Sequence, residues 1–202
     1  MSDTQTRPNP KRAAKIEAIL DAAEALMIDT GGDFEIGQLA RAAGVSNGLP
    51  YHYFGSKDGV IEGVIERFYA RYAQVIDRPA GTDIAWPIRE RERLEDTIAF
   101  LYADPLAETI FSHLSHPGLI AREHAMQQAL IERAARNVRS GQIRGQIPAD
   151  IDDRLAGAAI IGAVRTAMAT AMRMSPRPSP RRVTSQLWAL IMSAVGLSPE
   201  GE

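Results

Sequence analysis

Four side chains of metal-ligand type crowd one stretch of this chain: His113, His116, Glu123 and His124. His113 and His116 have the spacing of one helix face, but Pro117 breaks the register directly after them. Spacing alone does not close a coordination shell, so capping and surface roles are the better account and no metal is expected. No GxSxG, HExxH, P-loop or dinucleotide fingerprint occurs, and no catalytic constellation or cofactor site is visible. The chain has no cysteine, which excludes disulfides and thiolate metal sites. An enzyme is therefore not expected; an all-helical enzyme remains a rival that lacks its catalytic residues.

Residues 36 to 58 carry a different chemistry. Ile36, Leu39, Ala40 and Ala43 recur at three- and four-residue spacing and share one face of a short helix. Gly44 supplies a position open to positive φ that ends it. Val45 plugs the turn, and Ser46 is a good N-cap for a second short helix carrying Tyr51, His52, Tyr53 and Phe54. Gly55 breaks that helix and Ser56 caps a third, with Lys57 and Asp58 in its first turn. Two short helices joined by a tight Gly-containing turn form the helix-turn-helix signature, whose second helix reads the DNA major groove.

The agreement extends past the general motif. A-x-x-A-G-V-S-x-G, then Y-x-Y-F, then S-K-D, resembles the DNA-binding domain of the TetR (tetracycline-repressor-like) family of transcription regulators, closely over the first third of the chain. The resemblance implies that Tyr51 faces DNA, that Phe54 packs inward and that Lys57 reaches phosphate. Asn47 and His52 follow as exposed neighbours. The candidate DNA-binding set is Ser46, Asn47, Gly48, Leu49, Tyr51, His52, Tyr53 and Lys57. Two positions depart from the family pattern: Phe34 and Glu35 stand where Ser or Thr usually precedes the first of the two helices, and Leu49-Pro50 follows Gly48. With Ser46 as the cap, Pro50 falls at an early helical position, so the recognition helix is expected to start late with Pro50 in its first turn.

These helices sit within an all-helical plan. The net charge of -2 over 202 residues gives no overall nucleic-acid signature, but Arg7, Lys11, Arg12 and Lys15 cluster at the N-terminus, and residues 1–11 read as a disordered basic arm. Ile16, Ile19, Leu20, Ala23 and Met27 stripe a first helix over 12–30. A long helix follows from Lys57 to Ile76, then a loop over 77–85, then further helices to the end. The expected fold class is all-α. A three-helix DNA-binding domain spans 12–56, and a helical bundle for ligand binding and dimerisation spans 57–202. No signal peptide is visible. The one membrane-like run, Leu155 to Met174, holds Arg165 at its middle, against a transmembrane reading. The expected location is cytoplasmic.

The helix from Asp153 to Met174 is rich in Ala and Gly, which permits close approach of another helix, and the last two helices have apolar surface to spare for a subunit interface. In the resembling family that pair forms a four-helix bundle with a second subunit. The partners so implied are palindromic double-stranded DNA, a second copy of the chain and a small apolar or amphipathic effector. Phe68, Tyr72, Trp86, Phe100, Tyr102, Phe111, Met126 and Met168 are core residues or pocket lining. Arg165, among small residues, is an ion-pair partner or an anchor for an anionic ligand. A rival reading is a DNA-binding regulator that answers to a protein partner and keeps its core filled.

Overall fold

The computed structural model describes residues 10–77, 84–113 and 117–198, with the backbone alone over 112–113 and 117–123. Among them lie nine α-helices and no strand. The chain divides into two compact units, Met1–Arg67 and Phe68–Glu202.

The first unit is built on α1 (Pro10–Thr30), α2 (Ile36–Ala42), α3 (Gly48–Phe54) and the first half of α4 (Lys57–Ile76). Ile19, Leu20, Ala23 and Met27 of α1 bury the expected stripe against Phe34, Leu39, Ala40, Val60, Ile61 and Val64, while Ile16 stays half-exposed. Glu35 takes the cap position of α2, and its N–H donates to the Gln38 side chain at 2.9 Å. That bond does the work of the missing Ser or Thr. Gly44 (φ 64°) and Gly55 (φ 76°) hold the two turns in the left-handed region. Ser56 Oγ accepts from the Gly59 N–H at 3.0 Å and caps α4. The corner from α3 into α4 is so tight that a Cβ on Gly59 would overlap the Phe54 carbonyl oxygen. Arg67 ties α4 to α1: its Nη2 donates to Asp21 at 2.7 Å, and Nη1, buried without a hydrogen bond, lies 3.8 Å from Glu17.

The second unit holds the rest of α4, then α5 (Trp86–Ala103), α6 (Pro105–His113), α7 (Pro117–Ile143), α8 (Asp153–Arg173) and α9 (Pro180–Ala194). Local sequence sets these starts. Pro87 opens α5, the Asp104 carboxylate accepts from the Leu106 N–H at 3.0 Å, Asp152 from Arg154 and Leu155 at 2.9 Å each, and Ser179 from Arg182 at 3.3 Å. Helix α7 runs on to Ile143. Its Gly141 lies under Ile147 and Trp86, which replace the missing side chain with packing from outside. Gly157 lets α8 press onto the α7 backbone, because a Cβ there would sit 2.8 Å from Ala135 N and 2.9 Å from Ile131 O.

Alone among the described residues, α8 is long and apolar enough to cross a membrane. Here one face of it is buried through Ala156, Gly157, Val164, Met168, Ala171 and Met172. The opposite face carries Leu155 (72 % exposed), Ala159, Gly162, Thr166 and Thr170 at three- and four-residue steps. A Cβ on Gly162 would meet nothing within 4 Å. On α9, Leu190 is 59 % exposed between Gln186 and Ser193. Among the described residues nothing covers this stripe.

Candidate nucleic-acid interface and effector cavity

The expected reading face is laid out on α3. Ser46, Asn47, Gly48, Tyr51 and His52 are exposed, Leu49 and Tyr53 are half-buried, and Pro50 is buried. Tyr51 is 52 % exposed, a large apolar ring held in solvent on a seven-residue helix. Phe54 turns partly inward and would touch a Cβ at Gly63. The Ser46 cap is not seen: Asn47 is the cap residue by backbone position and makes no side-chain cap bond. The helix also starts without delay at Gly48, because Pro50 falls third in it, where an N–H has no intrahelical acceptor to miss.

Two basic groups flank this helix. The Arg12 guanidinium stands 5.8 Å from the Tyr53 ring centroid, and Lys57 Nζ lies 4.9 Å from the Phe34 ring and 3.9 Å from Asp33 Oδ1. Lys11 and Lys15 are exposed on the same first turns of α1, while most of the expected arm, residues 1–9, lies outside the described residues. The side chains of His113, His116 and Glu123 also lie outside them; His124 is exposed. No group of three or more metal-ligand side chains gathers among the described residues.

The second unit contains a cavity of about 440 Å³, within the range of small-molecule sites, roughly 300–1,000 Å³. Of the residues expected to contact a ligand, Tyr72 and Trp86 line it. Phe68 and Met168 are fully buried elsewhere. Phe68, Tyr72, Phe100 and Phe111 pack on one another, with Tyr72 stacked on Phe100 at 5.8 Å and Phe68 edge-on to Phe111 at 6.1 Å. This is core aromatic packing. The Tyr102 hydroxyl donates to the Pro178 carbonyl at 2.7 Å, and Met126 is half-buried on α7 outside the cavity wall. Arg165 lies 5.6 Å over the Phe111 ring, beside a separate void of about 10 Å³, too small for any effector.

The cavity's polar lining comes from positions that the sequence pattern did not single out. Arg89, Arg93 and Thr97 recur every four residues on α5, and Arg133, Arg136, Asn137 and Ser140 share one face of α7. Leu94, Leu130, Ile160, Ile161 and Val164 complete the wall. Arg89 is only 7 % exposed; its Nε donates to Glu90 Oε1 at 3.1 Å and its Nη2 to Asn137 Oδ1 at 3.3 Å. Trp86 is pinned by its indole N–H on the Asn137 carbonyl and its backbone N–H on Gln146. A four-residue repeat of Arg, Arg and Thr on one helix was the signal available for this lining.

Burial, reinforced by neighbouring Tyr69, pushes the Tyr72 phenol far above its ordinary 10.0. The folded state therefore holds that proton more tightly than the unfolded chain. The stability it contributes is complete below about pH 10 and is lost as pH rises above it, by roughly 1.4 kcal/mol per unit. Alkaline unfolding curves of the protein are expected to steepen above pH 10, and Tyr72→Phe to remove that component. Identical curves for the two proteins would contradict it.

A helix-turn-helix followed by a helical unit is an architecture found in DNA-binding transcription regulators. Residues 19–64 match the family of bacterial regulatory proteins designated tetR. Over 147 residues the chain is 29 % identical to the HTH-type transcriptional regulator BetI of Rhizobium meliloti (strain 1021), covering 71 % of each protein. The fold is similar to that of the fatty acid degradation regulator FadR from Bacillus halodurans (TM-score 0.76, 18 % identity, 94 % of this chain and 97 % of that one). It is also similar to SmeT, repressor of the Stenotrophomonas maltophilia multidrug efflux pump SmeDEF (TM-score 0.75, 22 % identity, 96 % and 92 %), and to SmeT in complex with triclosan (TM-score 0.75, 21 % identity, 90 % and 91 %). The similarity to the tetR family of bacterial regulatory proteins thus lies in residues 19–64, and the likeness to solved transcription regulators is one of fold.

Proposed function

We propose that the protein is a cytoplasmic homodimeric repressor that binds a palindromic operator and is released from it when a small amphipathic effector enters the second unit. The observation that carries the effector reading is the cavity of about 440 Å³ among α4, α5, α7, α8 and α9. A regulator answering only to a protein partner has no use for such a space. The SmeT complex with triclosan supports the same reading. The uncovered stripe of Leu155, Ala159, Gly162, Thr166 and Leu190 supports association with a second copy through α8 and α9.

The continuous helix α4 belongs to both units, so a displacement at its C-terminal half is carried to the unit that reads DNA. An effector that lowers operator affinity must bind more weakly, by the same factor, when operator is present, typically by ~1–3 kcal/mol. The test is titration against a genomic fragment library at moderate salt. An inverted repeat with half-sites about 34–36 Å apart is expected; equal weak binding to all fragments refutes the proposal.

In the DNA-bound form, Tyr51 and Lys57 touch the duplex. Lys57→Ala is expected to weaken binding to every sequence alike and to lower the salt slope by about one. Thermal stability should barely move, because its one ion pair joins two solvent-accessible groups. Tyr51→Ala is expected to weaken binding and change sequence preference. Unaltered affinity and salt dependence would remove Lys57 from the interface.

A further inference from the structure

We infer that the effector is an amphipathic carboxylate whose anionic head is held by the arginines of α5 and α7. The inference rests on the effector reading above and assigns the head-group chemistry of the same cavity.

Four guanidinium groups, Arg89, Arg93, Arg133 and Arg136, face the cavity together with two carboxylates, Asp77 and Glu90. The carboxylates are already engaged. Glu90 Oε1 accepts from Arg89 Nε at 3.1 Å and from Arg93 Nη1 at 2.5 Å, and Oε2 accepts from the same Arg93 nitrogen. Asp77 pairs with Arg133 at 3.2 Å, and both are solvent-accessible. A cationic ligand would have to displace arginine from Glu90 in a site where that pair is largely buried, at 7 % and 10 % exposure. An anion needs no such exchange. Arg89 Nη1 takes no partner among the described residues, and neither does the Arg136 guanidinium. Guanidinium groups offer paired N–H donors in the geometry of a carboxylate.

The remaining wall sets the other end of the ligand. Leu94, Leu130, Ile160, Ile161 and Val164 offer only apolar contact, and the indole N–H of Trp86 is already committed to Asn137. The cavity thus has a cationic side from α5 and α7 and an aliphatic side from α8. A molecule with one carboxylate and one hydrocarbon portion matches both.

The test uses three probes with the same ten-carbon chain, decanoate, decanol and decyltrimethylammonium, each titrated calorimetrically into the full-length protein below its micellar concentration. Decanoate is expected to bind saturably and about ten- to a hundred-fold more tightly than the other two. Arg93→Gln and Arg136→Gln are each expected to shrink that margin while leaving decanol affinity in place. Arg136, exposed and without a described ion pair, keeps the test available should the Arg93 variant fail to fold. If decanol or decyltrimethylammonium binds as tightly as decanoate, the head-group inference is overturned while the effector cavity stands. If none binds, both fail.

Discussion

In the proposed homodimer, Leu190→Arg is expected to separate the two copies and to weaken binding to the proposed palindromic operator by about 10²–10⁴-fold, the advantage that linking two binding modules confers. Leu190 is 59 % exposed on α9, and α8 likewise carries an exposed face that no described residue covers. A two-fold interface uses the same patch on both copies, so one substitution places two arginines in one contact. The fold of the single subunit should survive, since the residue contributes little to its core. Affinity for an isolated half-site should also survive, since Leu190 is far along the chain from α3. Sedimentation velocity and titrations against full and half operators read the three quantities separately. A variant that remains dimeric with full operator affinity would move the interface elsewhere.

Gly157→Ala is expected to be the most damaging single-methyl change in the second unit. The added carbon would lie 2.8 Å from Ala135 N and 2.9 Å from Ile131 O, and both are backbone atoms that cannot rotate aside. Helices α7 and α8 must part along the contact that organises the unit. Overpacking costs about 1–3 kcal/mol, and the upper end applies where the neighbour is main chain. Thermal midpoints should fall by roughly 2–4 °C for each kcal/mol in a chain of this size. Gly162→Ala, one and a half turns on, is the control when both changes are made in the Leu190→Arg background, which removes the proposed subunit contact: its Cβ meets nothing within 4 Å in the single chain, and Ala favours the helix by roughly 0.5–1 kcal/mol over Gly. Subunit stability should hold or rise there. Equal effects at the two glycines would mean that α7 and α8 are not so closely opposed.

The contrast between these two glycines shows what the sequence displayed and what it hid. A run of Ala and Gly announces close approach but not which face approaches which neighbour. Gly157 serves α7 within the subunit, and Gly162 faces outward. Element order was legible because the starts carry local chemistry: Pro87, Asp104-Pro105, Asp152 and Ser179 each act within three residues of themselves. The cap of α2 was less legible, since Glu35 succeeds by donating its backbone N–H to the Gln38 side chain, with no Ser or Thr hydroxyl as acceptor.

Helix α3, proposed to face DNA, was readable for the same local reason. The cavity was not. Aromatic and Met residues were natural candidates for its lining, yet half-buried Phe100 and Phe111 pack on the buried Phe68 away from it. Arginines on α5 and α7, with the periodicity of an ordinary solvated face, line it instead. Whether a charged stripe meets water or an interior space depends on the neighbouring helix, and no period within one helix records that. Arg165, the one cation that looked buried from its neighbours, lies instead over the ring of Phe111.

The tie between Arg67 and α1 has a mechanical consequence. With Asp21 at 2.7 Å and Glu17 at 3.8 Å, Arg67 rivets α4 to α1 at the last residue of the DNA-reading unit. Torque arriving along α4 at that point is delivered to the whole head rather than dissipated by bending it. In the proposed dimer the two heads would behave as the jaws of a caliper: the proposed effector would reset the gap and leave the shape of each jaw alone. A single half-site should be blind to the effector, while lengthening the spacer of a full operator should restore part of the grip that the effector removes.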